Sequence, residues 1–311
     1  MNHVGSLLVL ISATCFGAMA VFGKLAFGAG VTSESLVLIR FAAAALLLGA
    51  LLLIRPTLRR HDGDDRRPLW HAVLIALGLG AFGYAVQASL YFAALERLDA
   101  PLVALVLYTF PVMVTVAAVL LGRERFTAAR VVALVTATAG VSLVLAGAGG
   151  LGFDSLGVVL AFGAAITYTA YILAADTVLH RLAPVVLTTL VMTGAAAALA
   201  IRALVTGGVT VSFDSSGWLW IGCIVVVSTV LAVLAFFAGL KRTGASTASI
   251  LSTFEPVVST ALAALVLGEV LTPIQLLGAV LVLSAAVIVQ IRRRTPDGPE
   301  DMDIPEAAQV R

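Results

Sequence analysis

Glu255 stands directly before Pro256 inside an apolar stretch, Ala245 to Glu269 (ASTASILSTFEPVVSTALAALVLGE). Read as one membrane-spanning helix, the stretch places a carboxyl and a helix-breaker near the bilayer midplane. A charge at that depth costs about 2.5–3.5 kcal/mol on insertion scales, and hydrocarbon favours the neutral form of a carboxyl until a pathway wets it. The chemistry on offer is proton carriage or pairing with a substrate ammonium. The plainer alternative is a hydrogen bond that fixes helix packing. Pro256 has no N–H for the carbonyl of Ser252, so neighbouring helices, hydroxyls or water must satisfy that group.

A second set of residues suits an organic solute. Tyr84, Gln87 and Tyr91 recur at i, i+3 and i+7, along one helix face. Tyr108 and Thr109 precede Pro111, Tyr168 and Tyr171 lie three apart, and Ser228, Thr229, Ser252 and Thr253 add hydroxyls in later apolar stretches. Together they would line an aromatic cavity; the alternative is interhelical hydrogen bonding, worth on average about 0.6 kcal/mol per pair. Pro111 and Pro256 are candidate hinges or else packing devices. Lys24 and Arg40 are possible charge partners: both can snorkel to the surface, and Arg40, the deeper, also suits pairing or carboxylate binding. Glu124 and Glu269 sit at the ends of their stretches, where capping or loop anchoring is expected.

Composition states what must carry these residues. The 311-residue chain is 61% hydrophobic and 12% charged, against about 25% charged in soluble domains. Ten apolar runs cover 5–27, 33–54, 70–93, 100–121, 127–147, 156–177, 184–205, 217–240, 245–267 and 272–291, each near the length a bilayer crossing needs. The first run has no basic residue before it and no clear cleavage site, so it is read as a helix rather than a signal peptide. Cys15 and Cys223 both fall inside apolar runs, so no disulfide framework is implied. With the N-terminus inside, fifteen of the nineteen lysines and arginines fall in inner loops or the inner C-terminus, which satisfies the positive-inside rule and makes both termini cytosolic. Lys24, Arg40, Arg97 and Arg202 remain towards the outer side. Trp70, Trp218 and Trp220 open their spans, as an interfacial aromatic belt requires. The segment 292–311 reads as a disordered cytosolic tail.

The chain also repeats itself. Leu95 to Thr127, shifted by 145 positions without a gap, meets Leu240 to Thr272, with Leu95, Arg97, Ala100, Pro111, Val112, Thr115, Ala118, Leu120, Glu124 and Thr127 each facing an identical residue. Gly5 to Val21 matches Gly157 to Leu173 more weakly. Units of five spans are odd-numbered, so the second, 148–291, enters the membrane inverted relative to the first, 1–147. The expectation is an all-α integral membrane protein of ten transmembrane helices arranged as two inverted five-helix repeats, a transporter architecture with its site near the midplane.

Two copies of a proline-in-span, glutamate-at-end pattern carry a family resemblance: Pro111 with Glu124 in FPVMVTVAAVLLGRE, and Pro256 with Glu269 in EPVVSTALAALVLGE. With LIRF at 38–41 and YFAALERLDAPLVAL before the first proline, the chain resembles the EamA-type transporters of the drug/metabolite transporter superfamily over residues 5 to 291. The resemblance implies a 5+5 fold, a central cavity between spans 1, 3, 4, 6, 8 and 9, and most often export of small metabolites such as amino acids. One departure stands out: Glu255 faces Phe110 in the first copy, so any role of that carboxylate is not shared by both halves.

Signatures of other chemistry are mostly absent. There is no GxxxxGK[ST] loop for ATP, no HExxH or other metal-ligand spacing among His3, His61, His71 and His180, and no GxSxG. The basic stretch 55–67 lacks the interleaved aromatics of a nucleic-acid surface. The reading is a secondary transporter of the plasma membrane, not an enzyme, with no cofactor, a small-molecule substrate and protons as partners in a lipid bilayer. An uncoupled facilitator or importer is the alternative within transport. A membrane-embedded lipid enzyme would need a clustered nucleophile and base, and a sensor would need an added soluble domain.

Overall fold

The computed structural model describes residues 3–59, 69–121, 128–147, 154–179, 182–243 and 251–292, all of whose regular elements are helical. Helix α1 is His3–Gly28, α2 is Ser33–Ile54, and α3 runs from Leu69–Gly78 through a π-helical turn, Leu79–Tyr84, into Ala85–Leu95. Next come α4 (Ala100–Leu107), α5 (Phe110–Leu120), α6 (Ala128–Gly147), α7 (Ser155–Leu179) and α8 (Pro184–Thr206). Helix α9 joins Ser215–Val225 through a second π-helical turn, Val226–Leu231, to Ala232–Thr243; α10 is Glu255–Leu262 with a third such turn, Ala263–Leu267; α11 is Pro273–Arg292. Glu124, most of the basic stretch before Trp70, and the tail 293–311 lie outside the described residues.

Among the described residues six helices are long and apolar enough to cross a membrane: His3–Gly28, Ser33–Ile54, Trp70–Leu95, Ser155–Ala174, Pro184–Thr206 and Ser215–Gly239. Four shorter apolar helical stretches, Ala100–Val114, Val131–Val144, Glu255–Leu267 and Pro273–Ala285, fall within the remaining expected spans. Polarity is reversed relative to a soluble protein. Leu46, Leu53, Ile54, Phe82, Leu204, Val205 and Leu265 are exposed, while Ser12, Arg40, Gln87, Thr109, Ser228, Thr229 and Ser259 are buried. An apolar exterior of this extent is stable only against lipid. The chain is an all-α, multi-pass membrane protein.

Local sequence sets the element ends. Thr32 caps α2, its hydroxyl accepting from the Ser35 amide. Pro184 opens α8 at a position where the missing N–H is no loss. Gly268 takes φ +71 after α10, a left-handed turn that glycine adopts at little cost, and this aims Glu269 back at the bundle.

The expectation of continuous helices through Pro111 and Pro256 is corrected. Span four breaks at Tyr108–Thr109, and span nine breaks at Thr253–Phe254, with new helices starting at Phe110 and Glu255. Each proline sits in the first turn of the new helix, and the break falls just ahead of it because the ring excludes both the hydrogen bond to, and the space beside, the carbonyl four residues back. The chain thus turns and restarts where a bent helix was expected. The two breaks are displaced by the same 145 positions as the sequence repeat.

Helix α6 packs most extensively on α11, α1 on α9 and α10, α2 on α8, and α7 on α3, α4 and α5. Several helix contacts, that of α3 with α8 among them, are backbone to backbone. A Cβ placed on Gly80 would collide with the Val191 carbonyl, and one on Gly194 with the Leu77 carbonyl, so α3 and α8 touch at their main chains. Gly17 also lets α1 approach α10 closely: an added Cβ would lie 2.8 Å from the carbonyl oxygen of Glu255. Ser12 Oγ donates to the Ala232 carbonyl at 2.8 Å and ties α1 to α9.

Candidate functional site

The break in span nine assembles the first part of the site. Pro256 has no N–H to give to the Ser252 carbonyl, and the donor comes from span four: Tyr108 Oη lies 2.9 Å from Ser252 O and 2.8 Å from Glu255 Oε2. What Ser252 brings to Tyr108 is therefore its main-chain carbonyl, where the sequence suggested its hydroxyl. Tyr108 faces two acceptors with one phenolic hydrogen. Both contacts are hydrogen bonds when Glu255 carries a proton, donates it to Tyr108 Oη, and leaves the phenol to donate to Ser252. An ionised Glu255 competes with Ser252 for the one hydrogen.

From Tyr108 a chain of rings crosses the bundle. Tyr108 meets Phe110 at 5.7 Å, Phe110 meets Tyr168 at 4.7 Å, Tyr168 meets Tyr171 at 6.1 Å, Tyr171 meets Tyr84 at 5.5 Å, and Tyr84 meets Phe41 at 5.2 Å between centroids. Spacings in this range suit edge-to-face and offset aromatic pairs. Of the residues expected to line a cavity, Tyr84, Tyr108, Tyr168 and Tyr171 thus form one connected set, which Glu255 and the Ser252 carbonyl join through Tyr108. Gln87 and Tyr91 are buried on the same helix. Tyr91 stands edge-on to Phe92 at 5.2 Å.

Arg40 ends the chain of rings. It is 2% exposed, with Nε donating to Thr229 Oγ1 at 3.0 Å and Nη2 placed 3.5 Å from the Tyr84 hydroxyl. The rings of Phe41 and Phe92 lie 5.2 and 5.7 Å from its guanidinium carbon, within cation–π range. Snorkelling is ruled out for this residue. Both polar partners sit in π-helical turns, Tyr84 at the end of Leu79–Tyr84 and Thr229 within Val226–Leu231, where Thr229 donates in turn to the Ile224 carbonyl at 2.9 Å. Tyr84 and Thr229 are also 145 positions apart.

Phe110 was missed as a contact residue, although the repeat marked it: it is the position equivalent to Glu255, and both converge on Tyr108.

A third cluster ties α1, α4 and the end of α10 together. Lys24 Nζ lies 3.4 Å from Glu269 Oε1, so Lys24 is paired where snorkelling was expected. Glu269 Oε2 accepts from the Ala100 amide at 2.7 Å. Asp99, a good N-cap residue by type, makes no capping bond; Glu269 caps α4 in its place, so the expected capping role holds for a helix in the other half of the chain. Glu269→Gln keeps an acceptor for Ala100 and loses the ion pair, whereas Glu269→Ala loses both. We expect the alanine variant to be about 1 kcal/mol less stable than the glutamine variant, the usual worth of a cap, read as the difference in thermal unfolding in detergent.

Other polar contacts also join early to late segments. Arg202 pairs with Glu34 at 2.9 Å, and Arg97 Nη1 with Asp154 Oδ2 at 3.2 Å. Asp154 accepts from the Gly157 amide, from Arg97 and from the Leu156 amide, and these donors hold its carboxyl below the usual aspartate range. Its contribution is present at neutral pH and is lost as pH falls through that lowered value. No group of three or more His, Cys, Asp or Glu side chains that could hold a metal ion occurs among the described residues.

The model of the EamA-like transporter family matches residues 3–146 and 155–291. The chain belongs to the EamA-like transporter family. It is 26% identical over 282 residues to the uncharacterized transporter YcbK of Bacillus subtilis (strain 168), covering 88% of each chain. It is 27% identical over 284 residues to an uncharacterized transporter of Archaeoglobus fulgidus, covering 91% of this chain and 95% of that one. A crystal structure covering 94% of this chain and 99% of its own superposes with a TM-score of 0.63 at 21% identity, a likeness of fold. Its family makes the protein a membrane transporter.

Proposed function

We propose that the chain exports a small organic metabolite, an amino acid or similar, across the plasma membrane by alternating access, driven by protons that load and leave Glu255. The observation that carries this reading is the placement of Tyr108 between Glu255 and the Ser252 carbonyl at the Pro256 break. A proton on Glu255 leaves the phenol free to tie that break; its release draws the phenol to the carboxylate and loosens the tie. Proton binding is thereby linked to a turn in the backbone, which is what a gated transporter needs.

Two five-helix repeats, 1–147 and 148–291, would lie inverted in the bilayer with both termini cytosolic. The helix pairings support this. If span n of one repeat is exchanged with span n+5 of the other, α1 against α9 maps onto α7 against α3. Likewise α1 against α10 maps onto α7 against α4 and α5, and α2–α8 and α6–α11 each map onto themselves. The substrate would occupy the space lined by Tyr84, Gln87, Tyr91, Tyr108, Tyr168 and Tyr171, with Pro111 and Pro256 as hinges.

Everted membrane vesicles with and without the protein test the reading against labelled amino acids, nucleosides and cationic drugs under an imposed proton gradient. Protein-dependent uptake that collapses with an uncoupler is expected. Uptake indifferent to the uncoupler would identify an uncoupled facilitator instead.

A further inference from the structure

We infer that Arg40 is a carboxylate-binding residue, and that the transported solute is a small organic acid whose carboxylate docks on the guanidinium while its apolar body lies among the tyrosines. The inference deepens the transport reading and rests on it for the opening of the site. Arg40 is a permanent cation with a relative exposure of 2%, and no carboxylate among the described residues lies within ion-pair distance of it. Its contacts with Thr229 and Tyr84 engage two of its N–H groups, out of about five that a guanidinium offers.

A tie between α2, α3 and α9 needs no charge. Burying an ion carries a penalty that neutral donors avoid. What the guanidinium adds is a planar fork suited to a carboxylate, held between two aromatic rings. Its setting is equally specific. Both polar partners lie in π-helical turns, irregularities that recur at functional sites, and they stand 145 positions apart, the spacing of the sequence repeat. The cation is thus held between corresponding points of the two halves, where a ligand bound in the interior would be seen by both.

The charge count of the interior selects the sign of the ligand. Glu255 is the acid at the far end of the ring chain, and the Tyr108 hydrogen bonds are complete when it is protonated. In that state the positive charge of Arg40 has no counter-charge beside it among the described residues. A carboxylate neutralises it, whereas an ammonium would add to it. The rings of Tyr84, Tyr171, Tyr168 and Phe110 between the two ends give the rest of the solute a flat, apolar bed.

The test uses purified full-length protein in lipid nanodiscs and three probes that differ in one group: 3-phenylpropionate, 3-phenylpropanol and 3-phenylpropylamine. Equilibrium dialysis of the labelled compounds is expected to show the acid binding at least about tenfold more tightly than the alcohol, in keeping with a charge-assisted forked contact. The amine is expected to bind weakest. Arg40→Gln should erase the preference for the acid while alcohol binding persists, which reports an intact fold, and Arg40→Lys should retain part of it. Wild-type protein that binds the alcohol or amine as tightly as the acid overturns the inference. So does wild-type protein that binds none of the three, or an Arg40→Gln variant that keeps the preference. Uncoupler-sensitive uptake of other solutes with no preference for the acid would leave the transport reading standing alone. Acid-selective binding without uptake of any solute would do the reverse.

Discussion

Replacing Glu255 by glutamine is expected to leave the protein folded and to remove the dependence of transport on the proton gradient. The amide can donate to Tyr108 Oη as the protonated acid does, so Tyr108 still reaches the Ser252 carbonyl and the Pro256 break stays tied. What is lost is the ability to switch. Uptake into everted vesicles should fall roughly tenfold or more and become indifferent to pH and uncoupler, a tenfold loss corresponding to about 1.4 kcal/mol in the barrier. Tyr108→Phe separates the two roles of the network. It removes the donor to Ser252 while leaving Glu255 titratable, at a stability cost of about 1–3 kcal/mol for a polar group deprived of its partner. That exceeds the average interhelical pair in a membrane because one hydroxyl serves two acceptors. If Glu255→Gln transported like the wild type at every pH, Glu255 would be a packing residue and the proton would act elsewhere.

The second large effect is on stability, and it turns on a single methyl group. Gly80→Ala is expected to separate α3 from α8, because its Cβ would be driven into the Val191 carbonyl, a main-chain atom with no rotamer to escape into. Gly194→Ala does the same from the other side, against the Leu77 carbonyl. Overpacking of this kind costs about 1–3 kcal/mol and at times more, and here it also opens the contact of Ala72 and Ala76 with Leu187 and Val191. Tyr84, at the end of the same π-helical turn, would move away from Arg40 and Tyr171, so solute binding should weaken along with folding. The control lies two residues away in sequence. An added Cβ on Gly78 meets nothing within 4 Å, so Gly78→Ala should be neutral or stabilising by about 0.5–1 kcal/mol through helix propensity. Thermal unfolding in detergent ranks the three variants. Equal unfolding temperatures for Gly80→Ala and Gly78→Ala would show that the two backbones are not in contact.

Much of the site was legible in the sequence because its signals are local or periodic. A carboxyl, a proline and five tyrosines in apolar runs are conspicuous wherever they fall. Tyr84, Gln87 and Tyr91 share a helix face by spacing alone. The carbonyl of Ser252 could be named as needing a partner from the position of Pro256. The partner itself could not, since a hydroxyl on span four and a carbonyl on span nine are brought together only by the way those spans are rotated and packed. The same limit hid the true setting of Lys24 and Arg40. Distance from a helix end made snorkelling reasonable for both, but Glu269 reaches Lys24 from another helix, and Thr229 and Tyr84 enclose Arg40 from two more.

What the sequence by itself determined is the class of protein: a chain 61% hydrophobic and 12% charged has no stable home but a bilayer, and a self-match at a fixed shift marks two related halves. Hydropathy and repetition are properties of one dimension and survive without knowledge of the fold. The tertiary structure decided which polar groups meet: that Tyr108 bridges Glu255 and Ser252, that Phe110 and Glu255 converge on one phenol, that Glu269 caps a helix far from its own, and that Arg40 is buried with no carboxylate of the described residues beside it. Those facts depend on rotations of a few tens of degrees about helix axes and on glycines that let backbones touch. Many residues spread over several helices set such quantities jointly, and no single stretch of sequence encodes them.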